Sequence, residues 1–406
     1  MSSSRGAENV LNARLILRKI RSNTFHRGIA ASDFYAILFI GGDDPVTSTL
    51  GCACKRRMRL KNKKIAQLML RIVLPIISIV CLIVFVPWLA GSAYLKPLPN
   101  SVQEQVSDAI NYKLDGIIVY VEKKGKAPEF YSSGWKNRED KIPADPHSLF
   151  KIASISKLYI AAAAAKLVDR KKLSLDKTLA DYLPELIGRV ENADKITLRM
   201  MLQHRSGIPN FIDDPKFPWA NLPTEPNALL KFALDKPADF KPDKSYGYSN
   251  TNYLLIGTIL DKTLGYSHHA YIKKEILEPL KLTHTFSLLN EVDMKELISG
   301  YYIGYDGDLK TQNYVSPGGS MLATAQDVGI FLRALNDGSL LNANEQAIYS
   351  SIYVYEHTGL LGGYSSIARY HKDIDTVVIQ FVNASGGSSW MISEIIYDRI
   401  LRILHK

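Results

Sequence analysis

The chain has 406 residues, of which 46% are apolar, 22% charged and 10% aromatic, a balance that excludes general disorder and suits one large catalytic domain plus an appendage. Its formal charge of +10 would suggest nucleic acid, but the excess is local: Met1 to Arg71 carries 14 bases against 4 acids, and the 36 bases and 36 acids after it cancel. Three cysteines, none beyond Cys81, exclude a disulfide scaffold.

Residues 1–64 read as a basic cytoplasmic tail with little pattern, expected to be dispensable ahead of Met58. Cys52 and Cys54 have no companions at metal spacing and form no zinc site. Lys55, Arg56, Arg57, Arg59, Lys61, Lys63, Lys64 and Arg71 then precede Ile72 to Ala90, 19 residues without a charge, close to the roughly 20 that span a bilayer core. Residues 65–91 are therefore expected to form one transmembrane anchor. The positive-inside rule puts the N-terminus in the cytoplasm and the rest in the periplasm or outside the cell. A cleaved signal peptide is the alternative and exports the same domain. Residues 92–101, with Pro97 and Pro99, read as a semi-stiff linker, and 102–406 as the catalytic domain.

In that domain Val102, Val106, Ala109 and Ile110 recur at helical spacing. Gly116 to Glu122 is β-branched, and a charged turn leads to a second extended run at Glu129 to Ser133, which predicts a hairpin. Helical patterns dominate from Ser154 to about Leu335. They are broken by turn clusters at Pro209 to Trp219 and Phe240 to Tyr246. Tyr364 to Tyr370 and Thr376 to Val382 read as strands. Ile392, Ile395, Ile396, Ile400, Leu401 and Leu404 then share one face of a last helix. Strands at both ends around a long helical insertion predict an α+β unit whose ends share a sheet.

The segment Phe150 to Lys157 is expected to open a helix that continues through five alanines, Ala161 to Ala165. Ser154 and Lys157, three apart, would share a helix face. A serine hydroxyl needs a base to become a nucleophile, and a lysine kept neutral by desolvation can be that base. The spacing alone means little, because Ser174 and Lys177 repeat it where the sequence reads as a cap and surface turn. Two further segments carry the argument. Tyr248-Ser249-Asn250 puts a phenol and an amide at a loop tip, and His357-Thr358-Gly359 can offer a backbone edge to an extended substrate.

With these three motifs in this order, the chain resembles the serine penicillin-recognising enzymes, most closely the branch of class C β-lactamases, D-alanyl-D-alanine carboxypeptidases and related esterases. The segment Thr197 to Pro209, containing His204-Arg205-Ser206-Gly207, and the segment Gly318 to Asp327 are similar to further motifs of that family. The resemblance covers about Val102 to Ile403. It implies a β-lactamase/transpeptidase-like fold with an antiparallel sheet built from both chain ends and a large all-helical lobe.

It also implies Ser154 as the acylated nucleophile, Lys157 and Tyr248 as the proton-handling pair, and Asn250 as a clamp on the substrate amide. His357 stands in place of the lysine of many relatives. Thr358, Gly359 and Leu360 form the binding strand, with the backbone N–H groups of Ser154 and Leu360 as the oxyanion hole. No metal or organic cofactor is implied, and no nucleic-acid partner. Asp243 departs from a glycine that relatives often have. The expected activity is that of a membrane-anchored D-alanyl-D-alanine carboxypeptidase-like penicillin-binding protein acting on a cell-wall peptide or β-lactam. A class C-like β-lactamase or esterase is the alternative among enzymes. A membrane β-lactam receptor is the alternative from another class, and it would need an organised cytoplasmic structure that the tail does not display.

Overall fold

The computed structural model describes residues 67–85 and 87–406; the basic tail and its two cysteines lie outside them. The chain divides into two units between Val84 and Phe85. Ahead of that division a π-helical turn at Met69–Val73 runs into a helix over Leu74–Phe85, and every side chain from 67 to 80 is exposed. The expected continuous span over 72–90 is not formed: no helix among the described residues is long and apolar enough to cross a membrane. The break falls at Pro87, whose ψ of 77° lies outside helical geometry and whose ring nitrogen has no hydrogen to donate.

The second unit begins with helix α1 (Trp88–Leu95) and continues through α2 (Val102–Ala109). The segment expected as a linker is part of this body. Ala90 and Ala93 are buried with α2 and the C-terminal helix. Arg399, itself buried, donates from Nε to Gln105 Oε1 at 2.6 Å and from its terminal nitrogens to the carbonyls of Lys96 at 2.6 Å and Pro97 at 2.8 Å. Prolines without N–H groups cannot pair in a ladder; here the guanidinium takes up the carbonyls beside them.

The strands in chain order are β1 (Gly116–Lys123), β2 (Glu129–Asn137), β3 (Ile142–Pro143), β4 (Phe150–Lys151), β5 (Thr285–Phe286), β6 (Tyr301–Tyr302), β7 (Leu322–Ala323), β8 (His357–Leu361), β9 (Tyr364–His371), β10 (Thr376–Val382) and β11 (Ala384–Ser385). The main sheet has the order β3-β2-β1-β10-β9-β8 and is antiparallel throughout. Its centre joins the two ends of the domain, with Ile118 opposite Phe381 and Tyr120 opposite Ile379, as the sequence predicts. Alternation along β1 separates two cores. Ile117, Val119 and Val121 pack with α2 and the C-terminal helix, whereas Ile118 and Tyr120 pack with the helical lobe.

The lobe is organised around α3 (Ser156–Asp169), where Ala161 to Ala165 are all fully buried. Small side chains let neighbouring elements approach closely. Helices α4 (Asn250–Leu264), α5 (Ala325–Asp337) and α6 (Ser389–Leu404) complete the parts that matter for the site. The sheet and lobe together form the β-lactamase/transpeptidase-like α+β architecture.

Arg399→Leu should lower the stability of the domain by about 3 kcal/mol, because Gln105 and two carbonyls lose their donor. Urea unfolding followed by circular dichroism measures it; an unchanged midpoint would show that the docked segment contributes nothing.

Candidate active site

The expected helix start at Phe150 is displaced. Phe150 and Lys151 pair with Ala323 and Leu322 as β4 and β7, and the Lys151 ammonium donates to the carbonyls of Leu309 and Gln312 at 3.3 and 2.6 Å. The chain then makes a 3-10 turn, Ala153–Ile155, before α3 begins at Ser156. Ser154 thus sits ahead of the helix, where the N-terminal dipole favours negative charge. Ala153 holds a φ of +53°, costing about 1–2 kcal/mol for a residue with a Cβ. Surrounding bonds keep it there: Ser156 Oγ donates to Ala153 O at 2.6 Å, Ser366 Oγ donates to Ile152 O at 3.1 Å, and the N–H of Ile152 donates to Met321 O at 3.1 Å.

Ser154 Oγ lies 3.1 Å from Lys157 Nζ and 2.8 Å from the Tyr248 hydroxyl, which donates to it. Lys157 is wholly buried. Its nitrogen also donates to Asn250 Oδ1 at 2.9 Å and Gly318 O at 2.7 Å, both pure acceptors. In the neutral amine these two bonds use both hydrogens, and the lone pair is left facing the Ser154 hydroxyl. Burial lowers the lysine pKa to about 7, and no carboxylate among the described residues is paired with it. Burial raises the Tyr248 phenol well above its ordinary value, with the Ser154 hydrogen bond opposing the rise. The phenol therefore stays protonated at neutral pH and works as a proton donor.

Gly318 makes this approach possible. A Cβ there would lie 3.0 Å from Lys157 Nζ and 2.8 Å from Tyr253 Cβ. Asn250, expected to clamp a substrate amide, is engaged at both ends in this state: Oδ1 accepts from Lys157, while Nδ2 and the backbone N–H donate to Asn210 Oδ1 at 3.3 and 3.0 Å. Asn210 was not found from the sequence, and its only signal there is its place directly after Gly207-Ile208-Pro209.

His204 supports the tyrosine loop. Its Nδ1 accepts from the Ser249 N–H at 3.2 Å, its carbonyl accepts from the Gly247 N–H at 2.9 Å, and its ring packs 4.4 Å from that of Tyr248. Burial holds its pKa far below the usual value, so it is neutral. Asp243, where the resemblance implies a glycine, has a φ of +62°, which aspartate tolerates better than most residues, and Arg205 Nε donates to its carboxylate at 2.5 Å.

His357, Thr358, Gly359 and Leu360 lie on β8, the edge strand of the main sheet. Gly359 packs on the serine turn so closely that a Cβ would come 2.5 Å from Ile152 O and 2.8 Å from Ala153 Cβ. His357 Nδ1 is 2.5 Å from Thr358 O, and its Nε2 is 2.8 Å from the Tyr353 hydroxyl. Burial, with the nearby Lys157 charge, lowers its pKa to about 4. Arg369 faces Glu356 and Glu394 at 3.8 and 3.9 Å. Ser174 is bonded to Tyr182 through its backbone N–H, while Thr178 provides the helix cap, so the second Ser-x-x-Lys match belongs to a turn. Among the described residues no cluster of three His, Cys, Asp or Glu can hold a metal ion.

A family model described as Beta-lactamase matches residues 98–351, more than half of the chain, and the chain belongs to that family. It is similar to Protein flp of Staphylococcus aureus (strain MRSA252), 27% identical over 210 residues that make up 50% of this chain and 42% of that protein. It is also similar to Penicillin-binding protein 4* of Bacillus subtilis (strain 168), 28% identical over 193 residues, or 46% of this chain and 41% of that protein. The chain thus spans less than half the length of these curated relatives. Among solved structures, D-amino acid amidase from Ochrobactrum anthropi SV3 complexed with L-phenylalanine amide aligns with a TM-score of 0.67 at 22% identity, covering 76% of this chain and 98% of that one. That likeness shows the fold.

Gly318→Ala should displace the Lys157 amine and slow Ser154-dependent turnover by about 100-fold, with circular dichroism unchanged. A variant with full activity would remove the close approach from the requirements of the site.

Proposed function

We propose that the chain is a serine hydrolase that opens amide or ester bonds of small acyl or peptide substrates through an acyl-enzyme on Ser154. The observation that carries this reading is a serine hydroxyl held between a buried lysine without a counter-charge and a protonated tyrosine. Ser154 Oγ attacks the carbonyl carbon, and its proton passes to the Lys157 lone pair. The oxyanion faces the backbone N–H groups of Ser154 and Leu360 and the N-terminus of α3. The proton then reaches the leaving amine or alcohol from Lys157 by way of Tyr248, and water releases the acyl group by the reverse sequence. Thr358 and Gly359 on the sheet edge align the substrate backbone.

The narrower reading is a D-alanyl-D-alanine carboxypeptidase-like penicillin-binding protein of the cell wall, supported by the pairing of Y-S-N with H-T-G. A β-lactamase differs from it in rapid deacylation, and an esterase in the acyl compounds accepted. The domain is held at the cell membrane by the apolar run that begins at Ile72 and ends ahead of Pro87, with its catalytic side outside. The uncharged run, the basic residues before it and the exposure of the side chains from 67 to 80 support this.

Fluorescent penicillin followed by intact mass separates the enzyme readings. A stable label on Ser154, absent in Ser154→Ala, is expected for a penicillin-binding protein. Fast turnover would indicate a β-lactamase, and Ser154-dependent ester hydrolysis without label would indicate an esterase. Acylation should rise about tenfold per pH unit in the acid range and level off near 7, the value set for Lys157 by burial, because only the deprotonated amine accepts the serine proton. A profile flat across that range would rule lysine out as the base. Full-length chain in membrane vesicles should resist carbonate extraction, and its release would end the anchoring proposal.

A further inference from the structure

Resting on the hydrolase reading and standing against the narrower carboxypeptidase one, we infer that the leaving side of this site selects substrates without a free carboxylate there, an amide or ester in preference to a peptide ending in a free acid. The geometry of His357 carries the argument. Thr358 O can only accept a hydrogen bond, so the His357 Nδ1 that lies 2.5 Å from it bears the ring proton. Nε2 is then an acceptor, and the Tyr353 hydroxyl at 2.8 Å donates to it. Both ring nitrogens are engaged within the protein. The imidazole has neither a charge nor a spare N–H for a carboxylate, although it stands where many relatives have lysine.

Four basic side chains on the segments that build the site are engaged within the protein as well. Lys157 donates to Asn250 Oδ1 and Gly318 O. Arg205 holds the carboxylate and carbonyl of Asp243 at 2.5 and 2.7 Å. Lys151 donates to two carbonyls. Arg369 stands between Glu356 and Glu394 and over the Tyr397 ring at 5.3 Å. The exposed side chain on the edge strand, Leu360 at 55% exposure, is apolar. A free carboxylate bound beside β8 would lose water and gain no counter-charge from His357 or from these four side chains, whereas an amide or ester loses much less.

The test compares two matched pairs with the full-length chain: benzylpenicillin with its methyl ester, by the rate of Ser154 acylation, and an acyl-D-alanyl-D-alanine with its terminal amide, by kcat/KM. The neutral member should win by at least about tenfold, with little dependence on salt. His357→Lys should shift the ratio toward the acid by about tenfold or more. Tyr353→Phe, which frees Nε2 for protonation, should shift it the same way as pH falls. Equal rates, or a preference for the acid, in whichever pair reacts would overturn the inference while leaving the hydrolase reading standing. If Ser154 reacts with neither pair nor with a simple neutral ester, the hydrolase reading falls and this inference with it.

Discussion

The site depends on one costly arrangement, a lysine amine buried without a carboxylate. An ammonium in such a place would be poorly solvated, and the protein meets the problem by favouring the neutral form and supplying two neutral acceptors, Gly318 O and Asn250 Oδ1. Much of the surrounding structure serves those two contacts. Gly318 must lack a Cβ, Asn210 orients the Asn250 amide, and Tyr253 lies against both Gly318 and the lysine. A base of this kind is useful because the same burial that removes its proton aims its lone pair at the hydroxyl it must activate.

The sheet supplies the other half of the site. Because β1 and β10 join the ends of the domain, β9 and β8 are held in register from a central pair with buried side chains on both faces. β8 then lies on the serine turn through Gly359, and Ser366 of β9 ties the same turn by its hydroxyl. The strained Ala153 is kept in place by these contacts, so strain at the nucleophile is supported from both the lobe and the sheet. The serine is consequently fixed relative to the edge strand on one side and to the lysine and tyrosine on the other.

His357 shows how a motif keeps its place while its chemistry changes. A lysine there would project a charge, but the imidazole is drawn into bonds with Thr358 and Tyr353 and remains neutral. The family was legible from residue types and order, Y-S-N and H-T-G among them. The direction of the ring was not, because Tyr353 reaches it only through the turn that precedes β8.

The sequence by itself determined the α+β class, the hairpin, the terminal strands and helix, and the membership of Ser154, Lys157 and Tyr248 in one constellation. The class and the elements are written in local periodicity and turn residues, which survive without knowledge of distant partners, whereas the constellation came from the resemblance of three ordered motifs to a known family. It misjudged the start of the Phe150 segment, which long-range pairing with β7 makes a strand, and the linker at 92–101, which a buried arginine about 300 residues away holds to the body. Only the tertiary structure decided that Asn210 aligns Asn250, that Arg369 serves ion pairs, and that burial lowers the pKa of Lys157 to about 7 and that of His357 to about 4. Each of these is set by what is buried next to what, a property of contacts between remote segments that no local pattern records.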